Sequence, residues 1–415
     1  MNDYKKKELI EKVAHCLDIT PDMYNRAQSV VNGLTHFITN KSKETEIYKQ
    51  GSFKLGTIIR PYLKDRHGDY DIDLVVQYQD GKNNVSPDEI KHRLGNLLKH
   101  SSYYEYLDTE GRRCWTLNYP HINGTTITFH IDLLPCIGES ETIKKSISPE
   151  KYSNTVIAIT NIKDKNVEPY QYNWQSSNPK GFSTWFDSVN YTKYNSYKQN
   201  DRRRIFESYR SVFESLESVG DDYTRSPLQM VIQILKRHRD VMFSNAERAT
   251  YKPISIIITT LVGKIVEENN IVENNTYILL NTVLNGLEFY SSLQIAGMSS
   301  DFSDDFKQKK LIEKRFGKDG KPYWSIKSPA DSSDNLANRW NEDSRYAVEF
   351  FRWVKQAKAD LIDILEAQPK EIIAKIKYCL GEDVANAIQN FDFTETFNPR
   401  PIATDIVKPK PYKVG

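Results

Sequence analysis

Residues 50–61 read QGSFKLGTIIRP, residues 69–78 read DYDIDLVVQY, and residues 129–135 read FHIDLLP. The first stretch is rich in glycine, hydroxyl-bearing and β-branched residues, whereas the other two combine acidic with apolar residues. Glycine permits a tight turn, and alternation with a period of two is typical of half-buried strands. The first two stretches therefore predict a turn, a strand, a loop and a strand in succession, and the third predicts a further strand.

Asp71 and Asp73 are two residues apart, so an extended strand presents both carboxylates on one face. Two such carboxylates repel each other unless a cation lies between them, and oxygen ligands suit Mg²⁺ or Mn²⁺. Asp132 lies on another predicted strand. Three carboxylates on adjacent strands can hold two ions about 4 Å apart. We therefore predict that Asp71, Asp73 and Asp132 are catalytic residues and ligands of two Mg²⁺ or Mn²⁺ ions.

A lone Asp-x-Asp is more often part of a solvent-exposed strand face than of a catalytic site. The segment before it favours catalysis, because Gly51-Ser52 and Gly56-Thr57 supply tight turns and hydroxyl groups. Such turns can offer N–H groups to phosphate oxygens. The same glycines can also serve as ordinary turn glycines.

The remaining periodicity predicts an α+β protein. Residues 22–39 and 87–99 have helical spacing, and residues 113–119 and 125–135 predict strands around a turn at Asn123-Gly124. We predict a catalytic lobe over residues 1–150, a loop-rich crossover over 151–200, a helical lobe over 201–390 and a flexible tail over 391–415. The helical lobe contains the apolar-periodic stretches 227–243, 253–266 and 345–365.

Composition and cysteine spacing argue against several classes of protein. Lys and Arg number 57 and Asp and Glu 55, a balance that gives no strong signal for nucleic-acid binding. The four cysteines form no CxxC pair, which argues against a zinc ribbon and a disulfide framework. No signal-peptide pattern and no run of about 18 apolar residues occurs. We expect a cytoplasmic protein with reduced thiols and no membrane partner.

In this order, the Gly-Ser turn, the Asp-x-Asp strand and HIDLLP resemble the active-site signature of polymerase-β-like nucleotidyltransferases. They are especially similar to the bacterial branch related to cyclic GMP–AMP synthase and oligoadenylate synthase, the CD-NTases of antiphage (CBASS) signalling. Residues 177–186, 228–240, 251–262 and 334–340 also resemble later segments of that family. The resemblance implies a small twisted sheet, a helical second lobe and a nucleotide site in the cleft between them.

The resemblance also implies the chemistry. A ribose hydroxyl attacks the α-phosphorus of a nucleoside triphosphate, and pyrophosphate is released. By position, Gln50, Gly51 and Ser52 match the triphosphate-binding turn, Lys236 matches a lysine that contacts the donor phosphates, and Ser255 matches a serine one helix later. Where the animal synthase has a base-stacking aromatic residue, this chain has Ile256.

Lys236 has some support from the helical pattern alone. It follows Ile232 by four residues and so falls at the edge of the apolar stripe. A lysine at such an edge commonly extends into solvent, so this position alone is weak evidence. The neighbouring Arg237, His238 and Arg239 are predicted to form a solvated face.

Other phosphate and metalloprotease motifs are absent: the sequence has no GxxxxGK[ST], GxGxxG or HExxH. We predict a synthase of cyclic or short linear oligonucleotides that uses nucleoside triphosphates, ATP among them. Two alternatives stay open. One is an enzyme of the same fold that modifies RNA or protein, and the other is a nucleotide sensor without catalysis, for which a broken acid triad would be the hallmark.

The C-terminal segment has Pro399, Pro401, Pro409 and Pro411 and stops at Gly415. Proline favours an extended chain, which suits the narrow site of an adenylating enzyme. Because some CD-NTases are conjugated through a C-terminal glycine, the resemblance implies an E1/E2-like conjugating enzyme acting on Gly415 as a partner. An ordinary frayed terminus is the alternative interpretation.

Overall fold

The computed structural model describes residues 1–62, 70–119, 128–190, 195–210, 223–269, 274–302 and 304–394. The predicted turn at Asn123-Gly124 lies outside these residues, as do residues 395–415 of the predicted tail, with Gly415. Both stay predictions.

A six-stranded mixed sheet forms the centre of the N-terminal lobe, and a two-stranded sheet lies in the second lobe. The strands are β1 Thr45–Gln50, β2 Tyr70–Tyr78, β3 Trp115–Tyr119, β4 Phe129–Gly138, β5 Ile157–Ile162, β6 Tyr172–Ser177, β7 Glu313–Phe316 and β8 Pro322–Ser325. In the large sheet the order is β1-β2-β4-β5-β6, and β3 pairs with β4. Strands β2 and β4 are parallel, and the other neighbours are antiparallel.

The helices of the described residues are α1 Asp3–Leu17, α2 Pro21–Lys41, α3 Gly51–Lys54, α4 Pro87–Lys99, α5 Glu141–Ile147, α6 Glu150–Ser153, α7 Pro179–Asn190, α8 Asn195–Ser208, α9 Pro227–Met242, α10 Ala246–Ala249, α11 Ser255–Glu268, α12 Thr276–Glu288, α13 Asp304–Lys309, α14 Asn338–Glu342, α15 Arg345–Leu361, α16 Pro369–Leu380 and α17 Glu382–Ile388. Short 3₁₀ turns occur at 102–106, 289–294, 300–302 and 363–366.

Local signals fix where the main helices begin. The Thr20 hydroxyl accepts a hydrogen bond from the Met23 amide at the start of α2. Ser86 and Glu89 form a reciprocal capping box at the start of α4, as Ser226 and Gln229 do at the start of α9. In all three helices a proline occupies the first turn, where its missing N–H costs no helical hydrogen bond.

Two main apolar cores hold the lobes together. The first packs α2 and α4 against one face of the large sheet through residues such as Leu34, Ile72 and Leu94. The second lies among α7, α9, α11, α12, α15 and α16. Apolar residues of α1, including Leu9 and Val13, belong to this second core, so the first helix of the chain packs with the helical lobe.

The α+β fold class and the predicted helices and strands around the acidic residues are confirmed. Three details of the prediction are wrong. The expected loop-rich crossover contains β5, β6 and α7, so a boundary at residue 150 cuts through the sheet. Residues 51–54 form the short helix α3, and residues 57–60 are not a strand. Strand β1 instead precedes the Gly-Ser pair.

All four cysteines are free thiols in the structure. Within the described part of the chain, no helix combines the length and apolar character needed to cross a membrane.

Candidate active site

The three predicted acids are brought together by the pairing of β2 with β4. In this parallel register Asp73 lies beside Asp132, and Asp71 lies beside His130. On the other side of β2, Gln50 at the end of β1 pairs with Asp73. Ile72 and Leu74 point the opposite way into the core and are fully buried. The alternation expected from the sequence therefore places the carboxylates together on the face away from that core.

Each outer carboxylate has a polar neighbour. His130 Nε2 lies 2.5 Å from Asp71 Oδ1, and the Thr116 hydroxyl lies 2.5 Å from Asp132 Oδ1. Asp71 still exposes 63% of its side chain. Asp71 is thus the most accessible of the three acids, whereas Asp132 is oriented by the adjoining strand β3.

The central acid, Asp73, is electrostatically unfavourable in its ionised form. Burial, together with the carboxylates of Asp132 and Asp71, raises the pKa of Asp73 to about 7. Lys236 and His130 act in the opposite direction but do not offset this. A carboxylate held in this state gains from a nearby cation.

The donor set fits the predicted metal ions. Three carboxylates lie on adjacent strands, and burial together with the acidic neighbours raises the pKa of one of them, Asp73. Hard divalent cations such as Mg²⁺ or Mn²⁺ would neutralise such a set. Asp71, Asp73 and Asp132 would hold such ions. The set consists of carboxylate oxygens and contains neither a thiolate nor an imidazole. The chemistry of the donors therefore favours Mg²⁺ or Mn²⁺ over softer metals.

The raised pKa of Asp73 makes a stability prediction for the metal-free protein. Because the folded-state pKa lies above the unfolded value of 3.8, the native state loses stability as pH rises from about 4 through 7. Asp73→Asn cannot ionise, so we expect it to raise the melting temperature by several degrees at pH 8 in EDTA. At pH 5 the gain should be smaller.

The measurement is thermal unfolding of both proteins at the two pH values. The stability difference should be on the order of a few kcal/mol at pH 8. An equal loss of melting temperature at both pH values would contradict the electrostatic account.

A tight glycine turn lies against Asp73. Gly51 has φ of +63°, a conformation that suits glycine, and begins helix α3 directly after Gln50. A Cβ atom at Gly51 would lie 2.9 Å from Asp73 Cγ and would overlap Asp73 Oδ2. The Gly-Ser turn and the central acid are therefore packed as closely as the chain allows.

Helix α9 holds the segment after this turn with a row of side chains. Gln229, Gln233 and Lys236 are spaced so that they share one helical face. Gln229 Nε2 donates to Leu55 O at 2.8 Å, Gln233 Nε2 donates to Ile58 O at 2.8 Å, and Lys236 Nζ donates to Thr57 O at 2.8 Å. This row, which we call the α9 clamp, fastens the glycine-rich segment of one lobe to the other.

Lys236 is buried, with 5% of its surface exposed, yet it lines the cleft beside Asp71 and Asp73. Burial and the nearby Arg239 lower its pKa to about 8, although Asp240, Asp71 and Asp73 counteract this. An ammonium group has three donors, and Thr57 is the one acceptor that the described residues give it. The sequence prediction that Lys236 faces the site is consistent with this geometry.

The neighbours of Lys236 are buried, so the predicted solvated face at Arg237, His238 and Arg239 is wrong. Arg239 donates to Ser255 Oγ at 2.9 Å and to Pro253 O at 3.0 Å. It thereby fixes the start of α11 and the hydroxyl of Ser255. Arg237 donates to Arg60 O at 3.0 Å and extends the α9 clamp by one more contact.

The glycine turn, two of the acids and part of α9 line one cavity. Its volume of about 760 Å³ is within the range of small-molecule sites. Its lining includes Gly51, Ser52, Asp71, Asp73, Lys236 and Ser255. Gln50 and Asp132 are not part of the lining and lie beside Asp73 in the sheet. Ile256 lines the cavity in place of the aromatic residue expected from the resemblance, while Tyr62 lines the same cavity.

Several residues of the site were not predicted. Gln229, Gln233 and Arg239 act through hydrogen bonds to backbone carbonyls of distant segments, and Thr116 acts through Asp132. Their polar character on an otherwise apolar helix or strand was the available signal. Only the tertiary arrangement shows which groups they meet.

Comparison with known proteins agrees with this geometry. Residues 10–190 match the Second Messenger Oligonucleotide or Dinucleotide Synthetase domain, a stretch that contains all three acids and the Gly-Ser turn. The chain is 23% identical over 367 residues to a c-di-GMP synthase of Roseivirga ehrenbergii, covering 87% of this chain and 80% of that protein.

Solved structures share the fold. The CD-NTase CdnG of Bradyrhizobium diazoefficiens, determined with GTP, superposes with a TM-score of 0.64 at 14% identity over 93% of this chain and 99% of that one. The Vibrio cholerae cyclic AMP-GMP synthase DncV, determined with the linear intermediate pppA(3′,5′)pG, gives a TM-score of 0.51 at 13% identity, covering 93% and 88%. Residues 10–190, which contain the acid triad and the glycine turn, are therefore similar to a second-messenger synthetase domain, and the two-lobed architecture is similar to that of the CD-NTase CdnG.

Proposed function

We propose that the protein is a metal-dependent nucleotidyltransferase that joins nucleoside triphosphates into a cyclic or short linear oligonucleotide and releases pyrophosphate. The main support for the proposal is that acids of the triad and the glycine turn line the same cavity. The acids of β2, with Asp132 beside them on β4, face a glycine turn that the α9 clamp holds to the opposite lobe. The synthetase-domain match supports the same reaction.

The turn and the clamp would bind the donor triphosphate. Ser52 and Lys236 both line the cavity, and the ammonium of Lys236 donates to Thr57 O in the segment after the turn. Charge-assisted contacts of this kind favour the charge that develops on the leaving pyrophosphate. Arg239 would contribute indirectly, by holding Ser255 at the wall of the cavity.

The acids would hold Mg²⁺ or Mn²⁺, which when bound activates the attacking hydroxyl and neutralises the leaving group. Asp71, as the most exposed acid, is the one that solvent or substrate reaches first. In the ion-free protein His130 Nε2 is its neighbour, 2.5 Å from Asp71 Oδ1. Thr116 holds Asp132 in place from β3.

The substrates are proposed to be nucleoside triphosphates, ATP and GTP among them. Bound GTP in the similar CdnG structure and the pppA(3′,5′)pG intermediate in the DncV structure support this class of substrate. The cavity volume accommodates a nucleotide. With Ile256 at the expected stacking position, Tyr62 is one of the aromatic residues in the cavity lining that could contact a base.

The test is pyrophosphate release from the four triphosphates by the purified protein. Release should require Mg²⁺ or Mn²⁺ and stop when EDTA is added. Release that is unaffected by EDTA would refute metal dependence, and no release under any condition would refute the proposed reaction.

Lys236→Met removes the ammonium and keeps a side chain of similar length. If Lys236 contacts the donor phosphates, the variant should lower turnover by roughly 2–3 kcal/mol, or about 30- to 150-fold, with a smaller effect on KM. Ser52→Ala should act in the same direction, but more weakly because it removes a neutral donor. Steady-state pyrophosphate release measures both.

The matched control for Lys236 is Lys314→Met. Lys314 is equally buried and donates to Leu293 O at 2.7 Å, but it lies outside the cavity. It should lose stability without a comparable loss of turnover. Equal kinetics for Lys236→Met and the unmodified protein would return Lys236 to a purely structural role.

A role in antiphage signalling and conjugation of Gly415 by an E1/E2-like enzyme are further proposals. The match of residues 10–190 to the synthetase domain supports the first, and the proline-rich approach to Gly415 supports the second. Co-expression with an activating enzyme, with and without Gly415, would reveal a conjugate of higher mass if the second is correct.

A further inference from the structure

A buried group of metal-binding side chains lies behind the active site, where α9, α15 and α16 meet. His238 of α9, Asp360 of α15 and Cys379 of α16 each offer a ligand atom, and the three atoms lie within 4.8 Å of one another. The three residues are 1%, 3% and 4% exposed. Among the described residues, no other group of three or more such side chains has its ligand atoms within this distance, the acids of the active site included.

The hydrogen bonds around this group leave it incomplete. His238 Nε2 lies 3.1 Å from Asp360 Oδ2, while His238 Nδ1 is buried and has no hydrogen-bond partner among the described residues. A buried polar atom without a partner is unusual in a folded protein. The Cys379 sulfur has only a weak contact, at 4.0 Å, to Ile376 O.

The surroundings are arranged to orient the aspartate. Gln356 Nε2 donates to Asp360 Oδ1 at 2.8 Å, and Lys375 Nζ lies 3.2 Å from the same oxygen. Oδ1 is therefore occupied, and Oδ2 is directed towards His238. Partners that hold the outer oxygen of a ligand in this way are typical of metal sites. Lys375 is 35% exposed and lies at a cavity, into which it can move.

We propose that His238, Asp360 and Cys379 bind one zinc-class transition-metal dication, distinct from the ions of the nucleotidyltransferase site. The combination of imidazole, carboxylate and thiolate is one that Zn²⁺ accepts, and it disfavours Mg²⁺. Ligand atoms at zinc lie about 2.0–2.3 Å from the ion, so two ligands of one tetrahedral ion are about 3.3–3.7 Å apart. The three atoms here lie within 4.8 Å of one another, so an approach of at most about 1.5 Å brings them into place.

The fourth position is open to solvent. All three ligands line a cavity of about 1,030 Å³, which lets water or an incoming ion reach the group. Binding would replace the Cys379 thiol proton with the metal, and the proton would leave through this cavity. The site would join α15 and α16 to α9 at His238, two residues after Lys236. Its structural effect would be to fix the helix that carries the α9 clamp.

The experiment uses the full chain with Asp71→Asn and Asp73→Asn, so that the acids of the active site do not bind the probe. After removal of metals with EDTA, the protein is titrated with Co²⁺ and followed by absorption spectroscopy. We expect one Co²⁺ per chain with a thiolate-to-cobalt charge-transfer band, displaced by one equivalent of Zn²⁺.

Cys379→Ser should abolish the charge-transfer band, and Asp360→Asn should reduce cobalt occupancy. The matched control is Cys16→Ser, which removes a half-buried thiol of α1 and should keep the band. Absence of the band in the parent protein, or its survival in Cys379→Ser, would overturn the proposal. The parent spectrum decides the matter even if a variant fails to fold.

Discussion

Replacing Asp71 and Asp73 together by asparagine is expected to lower nucleotide synthesis by about a thousandfold or more while the protein stays folded. Asparagine keeps the size of each side chain but removes the charge that holds the metal ions. The loss of metal-borne charge stabilisation in the transition state amounts to several kcal/mol. Pyrophosphate release at saturating Mg²⁺ measures the loss, and thermal unfolding verifies the fold.

Asp80→Asn provides the matched control. Asp80 follows the same strand but pairs with Arg93 at 2.6 Å outside the cavity. This variant should retain nearly all activity. Wild-type activity in the Asp71/Asp73 double variant would remove the basis for assigning these residues as metal ligands.

Gly51→Ala is expected to reduce activity by about a hundredfold or more with an intact overall fold. The new methyl group would overlap the Asp73 carboxylate, and alanine is strained at the positive φ of Gly51. Either Asp73 or the triphosphate-binding turn must then move, and a displacement of about 1 Å can cost a hundredfold in rate. Steady-state kinetics with Mg²⁺ and the preferred triphosphate measure the effect.

Gly297→Ala distinguishes backbone strain from overlap with the Asp73 carboxylate. Gly297 also has a positive φ, of +77°, but a Cβ there would meet nothing within 4 Å. It should therefore show the backbone strain without a loss of activity. Equal activity losses in both variants would indicate that the effect at Gly51 is a general destabilisation.

The sequence alone predicted the acid triad because strand alternation is a local property. Asp71 and Asp73 share a face whatever surrounds them, and the pairing of β2 with β4 then aligns Asp132 with Asp73. The α+β class and helices such as α4, which covers the predicted residues 87–99, also follow from local periodicity. The fold class and these helices are confirmed, and the three acids lie on paired strands as expected, whereas their roles as catalytic residues and metal ligands stay predictions.

The remaining parts depend on tertiary contacts. Arg237, His238 and Arg239 were placed in solvent because charged residues in a helix usually face water, yet distant carbonyls and carboxylates bind them in the interior. Strand β6, with the sequence YNWQSS, is polar and shows no alternation, so only its pairing with β5 reveals it. Strand β5, with the sequence IAITNI, is a short β-branched run that the polar composition of the surrounding segment obscures. The three ligands of the proposed zinc-class site come from separate helices, so no spacing motif in the sequence indicates them.

The most direct measurement of the central claim is product analysis by mass spectrometry. The wild-type protein is incubated with Mg²⁺ or Mn²⁺ and with each combination of ATP, GTP, CTP and UTP, and the Asp71/Asp73 double variant is treated identically. If the protein is the proposed nucleotidyltransferase, the wild type alone should yield a cyclic or short linear oligonucleotide, with one pyrophosphate released for each bond formed. Unchanged triphosphates in every combination with a folded wild-type protein, or nucleotides found only on an added RNA or protein, would contradict it.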